Sequence, residues 1–440
     1  MSTLARRLAG GLLTPVVVLA ASSALAQGTA SPAGGTTPPS GPDPAQRIKE
    51  LRSALDRDYL AGPSISDPIG YRTLWQTRIR LAPEQSLKGL DVESESTFVW
   101  DTNGVVTRLR PANGDLLWQG STNSRLDRIL SVTMVPTPKG PQAAVLTDTQ
   151  CLMLDQGNGF FAGRQPFKRL ANTPAILVPP FLVYGTRAGQ LVWHQYLVGY
   201  DRMAAQLDGQ MVASPTLAGN KVVAGTISGA VGAYTAERAE PVWQRRLNGA
   251  VVATPAADKT ATWVACKDQY LWCLSMADGR TLWKYFTESP LTNSPVHLDG
   301  ALYLDIPTEG LVCFDPLPAD KIDGAVRWRS KNVTGQALGL CRAGLLVWSD
   351  DQHVLRVLDE RNGDVVQTLN LPGTSLIRVT APIDGDLILG GPDGRVQRLT
   401  PLARRPVSVP DAPATAATTG APAPAPAGGT APAPVAPGKP

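Results

Sequence analysis

One phrase returns along this chain at intervals of about 40 residues: Asn or Asp, then Gly, then a hydrophobic pair ending in Trp. It stands as Asn113-Gly114-Asp115-Leu116-Leu117-Trp118, as Asp278-Gly279-Arg280-Thr281-Leu282-Trp283 and as Asp323-Gly324-Ala325-Val326-Arg327-Trp328. A further copy, Asn362-Gly363-Asp364-Val365-Val366-Gln367, has lost the Trp. Trp243 lies 40 residues before Trp283, and Trp75 lies 43 before Trp118. An opening element keeps the same period, with Gly209 to Pro215 matching Gly249 to Pro255, and Pro295 following 40 residues later.

In the fullest copy, Gly249 to Trp283, four short runs rich in Val, Thr, Trp and Leu are separated by polar or Gly-bearing breaks. Runs of this kind predict a four-stranded antiparallel meander whose first strand is Gly249 to Pro255. Asp278-Gly279 predicts a two-residue type I′ turn, which needs positive φ at both central positions. One such sheet cannot bury both its faces, so each copy needs neighbours. A period near 40 with four strands per unit is the signature of a β-propeller. The expected fold is therefore all-β. First strands are expected to start near 88, 131, 174, 215, 255, 295, 341 and 379, giving eight blades of about 42 residues across 71–403, with seven the alternative count. The copies near Gly159 and Gly199 are degraded. The strand around Trp75 has no three strands before it, and the last blade has no fourth strand after Thr400. The first is expected to complete the second, which closes the ring and removes exposed sheet edges. On this reading Trp75, Trp118, Trp243, Trp283 and Trp328, with Gly114, Gly279, Gly324 and Gly363, are structural residues that fill equivalent gaps between blades.

Outside the repeats the chain changes character. Residues 1–26 carry Arg6-Arg7, a nearly uncharged run from Leu8 and a small-x-small Ala24-Leu25-Ala26, the pattern of a secretory signal; the alternative is retention as an anchor. Residues 27–43 and 404–440 are Pro, Gly, Ala, Ser and Thr without hydrophobic period, a linker and a tail that cannot bury a core. Between linker and ring, 44–62 predicts a short amphipathic helix, with Asp43 as N-cap, Pro44 at its first position and a stripe of Ile48, Leu51, Leu55 and Tyr59. Cleavage after Ala26 removes Arg6 and Arg7 and leaves a charge of +2 from +4. Neither that balance nor any Lys/Arg stripe suits nucleic acid, and nothing after the signal has transmembrane length. The five cysteines are an odd number for an exported protein and suit small buried positions, with Cys266–Cys273 and Cys273–Cys313 as the pairings that strand position allows. His194, His297 and His353 show no metal-ligand spacing.

The repeat resembles the pyrroloquinoline-quinone (PQQ)-like propeller repeat, carried best by Leu274-Ser275, Asp278-Gly279 and Trp283, and by Leu358-Asp359 and Asn362-Gly363. The resemblance implies two kinds of protein. Quinoprotein dehydrogenases hold PQQ and calcium over the ring and place adjacent cysteines beside the quinone; this chain has no Cys-Cys pair, and its blades are short. Exported scaffolds of the BamB type are non-catalytic, and they match this chain in size and blade number. The resemblance thus implies a periplasmic or otherwise exported monomer that binds envelope proteins without a cofactor, as an adaptor in outer-membrane protein assembly. The alternatives are a PQQ-dependent oxidoreductase and a small-molecule sensor using the central channel. Recognition is expected in the loops from each fourth strand to the next first strand, which differ from blade to blade: Arg245 to Gly249, Thr287 to Thr292 and Lys331 to Gly335, with Arg245 and Arg246 as the candidate contact residues.

Overall fold

The computed structural model describes residues 44–122, 127–319 and 322–403. The expected signal, linker and tail lie outside these residues. The chain divides into two units, 1–49 and 50–440. Of the first, the described part is the start of a helix, Pro44–Asp58, none of whose residues is buried. It ends four residues earlier than expected, and its apolar stripe faces solvent at Ile48 and Leu51. No helix among the described residues is long and apolar enough to cross a membrane.

The second unit holds eight four-stranded antiparallel sheets. Blades 1 to 7 span residues 87–121, 129–166, 176–206, 216–246, 256–286, 296–330 and 336–370. Blade 8 combines Leu376–Val379, Leu387–Gly390 and Arg395–Pro401 with the N-terminal strand Tyr71–Arg78, which pairs with Arg395–Pro401 from Tyr71↔Pro401 to Arg78↔Arg395. Eight hydrophobic cores each join one blade to the next. The last brings Trp75, Ile388 and Val396 of blade 8 against Leu87, Leu90 and Leu109 of blade 1, so the ring is closed.

Two expectations about the repeat need correction. The run Gly249 to Pro255 is a bridge between blades, and the first strand of blade 5 is only Ala256–Ala257. Val251 N–H donates 2.9 Å to Thr226 O of blade 4, and Ala250 O accepts from Lys267 N–H of blade 5 at 2.9 Å. The buried Val251 and Ala253 read as strand because burial, and not pairing, selects them. Asp278-Gly279 is not a type I′ turn. Gly279 has φ 72°, Asp278 has no positive φ, and the hairpin closes from Ser275 N–H to Arg280 O at 2.9 Å. Every third-to-fourth strand pairing in the ring carries a register shift, near this turn in blades 1 to 7 and between Thr73 and Trp75 in blade 8. A bulge kinks the strand and lengthens its turn. The two-residue turn with positive φ at both positions is Asp299-Gly300, at 44° and 68°, between Leu298 and Ala301.

The residue beside each bulge aims at the next blade. Where it is Trp, its indole N–H donates to a carbonyl in that blade's third-to-fourth turn: Trp75 to Pro111 at 2.7 Å, Trp118 to Gln156 at 2.8 Å, Trp283 to Pro316 at 2.9 Å, Trp328 to Glu360 at 2.7 Å and, more loosely, Trp243 to Met276 at 3.4 Å. The ring then covers a glycine of the same turn. A Cβ on Gly279 would stand 2.6 Å from Trp243, and one on Gly324 2.9 Å from Trp283. Gly114, Gly159 and Gly363 seat Trp75, Trp118 and Trp328 in the same way. The Trp and Gly of one sequence phrase therefore serve two different interfaces: the Gly receives the preceding Trp, and the Trp reaches forward.

Near the axis, carboxylates join first strands that do not pair. Asp91 accepts from Val132 N–H at 2.9 Å, and Glu93 accepts from Met134 N–H at 2.8 Å and from the Thr133 hydroxyl. Burial pushes both carboxyls up, against these hydrogen bonds, with Arg378 opposing for Asp91. A raised carboxyl contributes stability below its unfolded value and loses it as pH rises through the folded value. Asp91→Asn keeps an acceptor for Val132 and drops the charge. Denaturant titrations from pH 4 to 8 are expected to show the variant gaining on the wild type as pH rises; a flat or opposite trend would show that the Asp91 charge is not disfavoured.

Candidate protein-docking surface

The fourth strands end beside the second-to-third turns of their own blades. Leu207 N–H donates to Gly189 O, Leu247 N–H to Gly229 O and Thr287 N–H to Gln269 O, each at 2.8 Å. The expected recognition loops therefore share one end of the strands with those turns.

Arg245 and Arg246 are not in a loop. They are the last two residues of the fourth strand Pro241–Arg246 of blade 4. Neighbours on a strand point to opposite faces, so the two do not form one site. Arg245 donates 2.8 Å to Gly279 O and lies 5.9 Å from the Trp272 ring, which ties blade 4 to blade 5. Arg246 pairs with Asp208 at 2.5 Å on an exposed surface, where an ion pair adds little.

The other two loops meet. Glu288, from Thr287 to Thr292, and Lys331, from Lys331 to Gly335, both line a groove of about 500 Å3 with Tyr285, Phe286, Thr308, Glu309 and Arg329. Its floor is fixed by a triangle. Arg329 donates to Glu309 through Nε at 2.7 Å and to the Tyr285 hydroxyl through Nη2 at 2.7 Å, and that hydroxyl donates to Glu309 at 2.9 Å. Burial raises the Tyr285 phenol, partly offset by the Arg329 hydrogen bond, and the Glu309 and Tyr285 hydrogen bonds raise the Arg329 guanidinium. Phe286 forms the exposed end and continues into an aromatic ladder, with Tyr270 at 5.3 Å and Lys284 4.7 Å over the Tyr270 ring. A rigid polar floor beside an exposed ring suits contact with another protein. Sequence reasoning missed these strand residues. Phe286 ends its strand three residues after Trp283, a position that carries no repeat signal of its own.

The remaining candidates are structural in place. All five cysteines are buried and none is joined in a disulfide. Burial pushes the thiols of Cys151, Cys266 and Cys313 up to about 12 and that of Cys273 higher still, so none of these four is a ready nucleophile. His194 is fully buried between Asp201 at 3.0 Å and Gln165 at 2.8 Å. His297 lies 4.7 Å from the Trp263 ring, and burial lowers its imidazole. His353 Nδ1 lies 2.8 Å from Thr374 O. Among the described residues no group of three or more His, Cys, Asp or Glu stands close enough to hold a metal ion.

Residues 182–316, from blade 3 to the end of the third strand of blade 6, match the family model described as outer membrane protein assembly factor BamB. They carry PQQ-like propeller repeats. The crystal structure of BamB from Moraxella catarrhalis is similar to this ring, with 18% identity, a TM-score of 0.56 and coverage of 74% of this chain and 97% of that one. The computationally designed Ika8 protein is similar at 13% identity, with a TM-score of 0.58 and coverage of 75% and 99%. At these identities the likeness is one of fold. No curated protein matches the sequence significantly.

Proposed function

We propose that this PQQ-like ring is an exported, non-catalytic adaptor that binds another protein of the cell envelope at the groove between blades 5 and 6. The carrying observation is the convergence of two blade-connecting loops on a preformed groove with an exposed Phe286 and a fixed Arg329–Glu309–Tyr285 floor. Export is supported by Arg6-Arg7, the uncharged run from Leu8 and Ala24-Leu25-Ala26. The description of the matching family, an outer membrane protein assembly factor, supports a part in assembling outer-membrane proteins. A fold of this kind confers no reaction by itself, and the cofactor-free reading rests on the missing Cys-Cys pair and the short blades.

The test replaces Phe286 with Asp and Lys331 with Glu together. Both are exposed, so the ring should fold unchanged. Loss of an anchor ring with reversal of a rim charge is expected to cut partner recovery in envelope pull-downs by about tenfold or more. Folded double variant that recovers the same partners in the same yield would remove the groove as the binding site.

A further inference from the structure

The Trp clasp is missing at one interface in a way that leaves space. On the fourth strand of blade 2, Phe161–Pro166, the register partner of Met153 is Gly163, where blade 1 has Trp118 and blade 5 has Trp283. A Cβ on Gly163 would meet nothing within 4 Å. Part of the lost function passes to Gln165, which donates 2.7 Å to Tyr196 O, the place that Gln156 O holds for Trp118, and which lies against Gly199. The volume of the ring is not replaced. A groove of about 340 Å3 remains, bounded by Met153, Ala162, Gly163, Pro138, Tyr196 and Leu197. It opens at the end of the strands opposite the blade 5–6 groove, because it is lined by the first-to-second turn of blade 2 and the third-to-fourth turn of blade 3.

Leu197 of the lining is 47% exposed, and its sequence neighbours and those of Ala162 add exposed apolar surface: Val198 is 61% exposed, Phe161 55% and Phe160 73%. The charged side chain in the lining is Lys139, and no carboxylate lines the groove. The strand Phe161–Pro166 is the outer edge of its sheet. The chain itself shows what an edge of this type accepts. At blade 5, Ile322 to Gly324, the turn segment that also seats Trp283 at Gly324, lies parallel to the fourth strand, with Lys284 N–H donating to Ile322 O and Gly324 N–H donating to Lys284 O, both at 3.2 Å.

We infer that the groove at Gly163 is a docking site for an extended segment of another protein, one that pairs with the edge Phe161–Pro166, places a large apolar side chain in the space a Trp fills elsewhere, and carries acidic residues toward Lys139. Edge pairing supplies main-chain hydrogen bonds, and the groove selects the side chain. The adaptable Met153 lets the site take rings or branched aliphatics. This surface is separate from the blade 5–6 groove, and its test does not depend on that reading.

The probe is an acetylated hexapeptide with a central Trp flanked by Glu, compared with its Trp→Ser twin, in NMR titrations of the full chain. The Trp peptide is expected to shift the amides of Gly163, Gln165 and Leu197 and to saturate, while the Ser twin does not. Gly163→Trp fills the space from within and is expected to keep or raise the unfolding midpoint while weakening the peptide at least about tenfold, a loss of one packed anchor. Lys139→Gln, at an exposed position, is expected to weaken it less and to remove most of the fall in affinity with added salt. No saturation, equal binding of both peptides, or unchanged affinity in Gly163→Trp would overturn the inference. So would sedimentation showing a wild-type dimer that Gly163→Trp converts to monomer, since the occupant would then be a second copy.

Discussion

Deletion of residues 1–79 is expected to yield a protein that aggregates and does not fold as a monomer. The strand Tyr71–Arg78 is the fourth of blade 8, so its loss strips the outer edge of Arg395–Pro401. More than an edge is lost. Trp75 leaves its place against Gly114 and Pro111 of blade 1, so the 8–1 interface loses its clasp. Gln397, fully buried, accepts from Ala61 N–H at 2.7 Å and donates to Ala61 O and the Thr73 hydroxyl, each at 2.8 Å. Deletion removes all three partners, and with them the segment that covers this amide, so the tie between the closing strand and its sheet is lost. Leu60, Ala61, Ile69 and Tyr71 also leave the blade 7–8 core. An unpaired edge beside a thinned core templates pairing with other chains. Size-exclusion with light scattering decides the matter: a monomeric deletion product with native unfolding temperature would mean that the ring does not need its N-terminal strand.

The closing strand was legible because Trp75 sits in a repeat phrase with no blade before it, while the last blade lacks an end. What holds that strand was not. Gln397 and Ala61 are ordinary residues in sequence, and their meeting across the closure is created by the ring. Blade number followed from period, because eight first strands at near-even spacing need no side-chain detail. The turn at Asp278-Gly279 was misjudged because an Asp-Gly pair signals positive φ without saying how many residues share the turn, and the bulge after Cys273 lengthens it. The copies near Gly159 and Gly199 read as degraded in sequence, yet the informative position is Gly163, four residues past the turn. A missing side chain leaves no mark in a sequence until register assigns it a place. The blade 5–6 groove was half legible. Its loops were singled out by their variability, whereas Tyr285, Glu309 and Arg329 come from two blades and a turn that no local pattern joins.

Trp283→Ala is expected to cost about 3–5 kcal/mol of stability, the range for truncating a buried aromatic in a core that cannot collapse. The ring is 1% exposed, lies 6.1 Å from Phe314 in a stacked arrangement and donates 2.9 Å to Pro316 O. Its neighbours belong to two blades held at fixed separation by the closed ring, so the space cannot shrink. Urea titration measures the loss, and a value below about 1 kcal/mol would mean that the clasp is ornamental. The glycine half of the clasp gives a sharper test. In Gly324→Ala the added Cβ would stand 2.9 Å from the Trp283 ring, closer than real Cβ contacts come, and 3.1 Å from Tyr285 Cβ, a tight contact. Gly324 does not have positive φ, so the penalty of the single variant reports contact with the ring and not backbone strain. With Trp283 already Ala, the same methyl enters emptied space. The double variant is therefore expected to lose less than the sum of the two singles, with a coupling of about 0.5–3 kcal/mol as for residues in contact. Strict additivity would show that Trp283 and Gly324 do not act as one clasp, and would place the cost of Gly324→Ala in its contact with Tyr285.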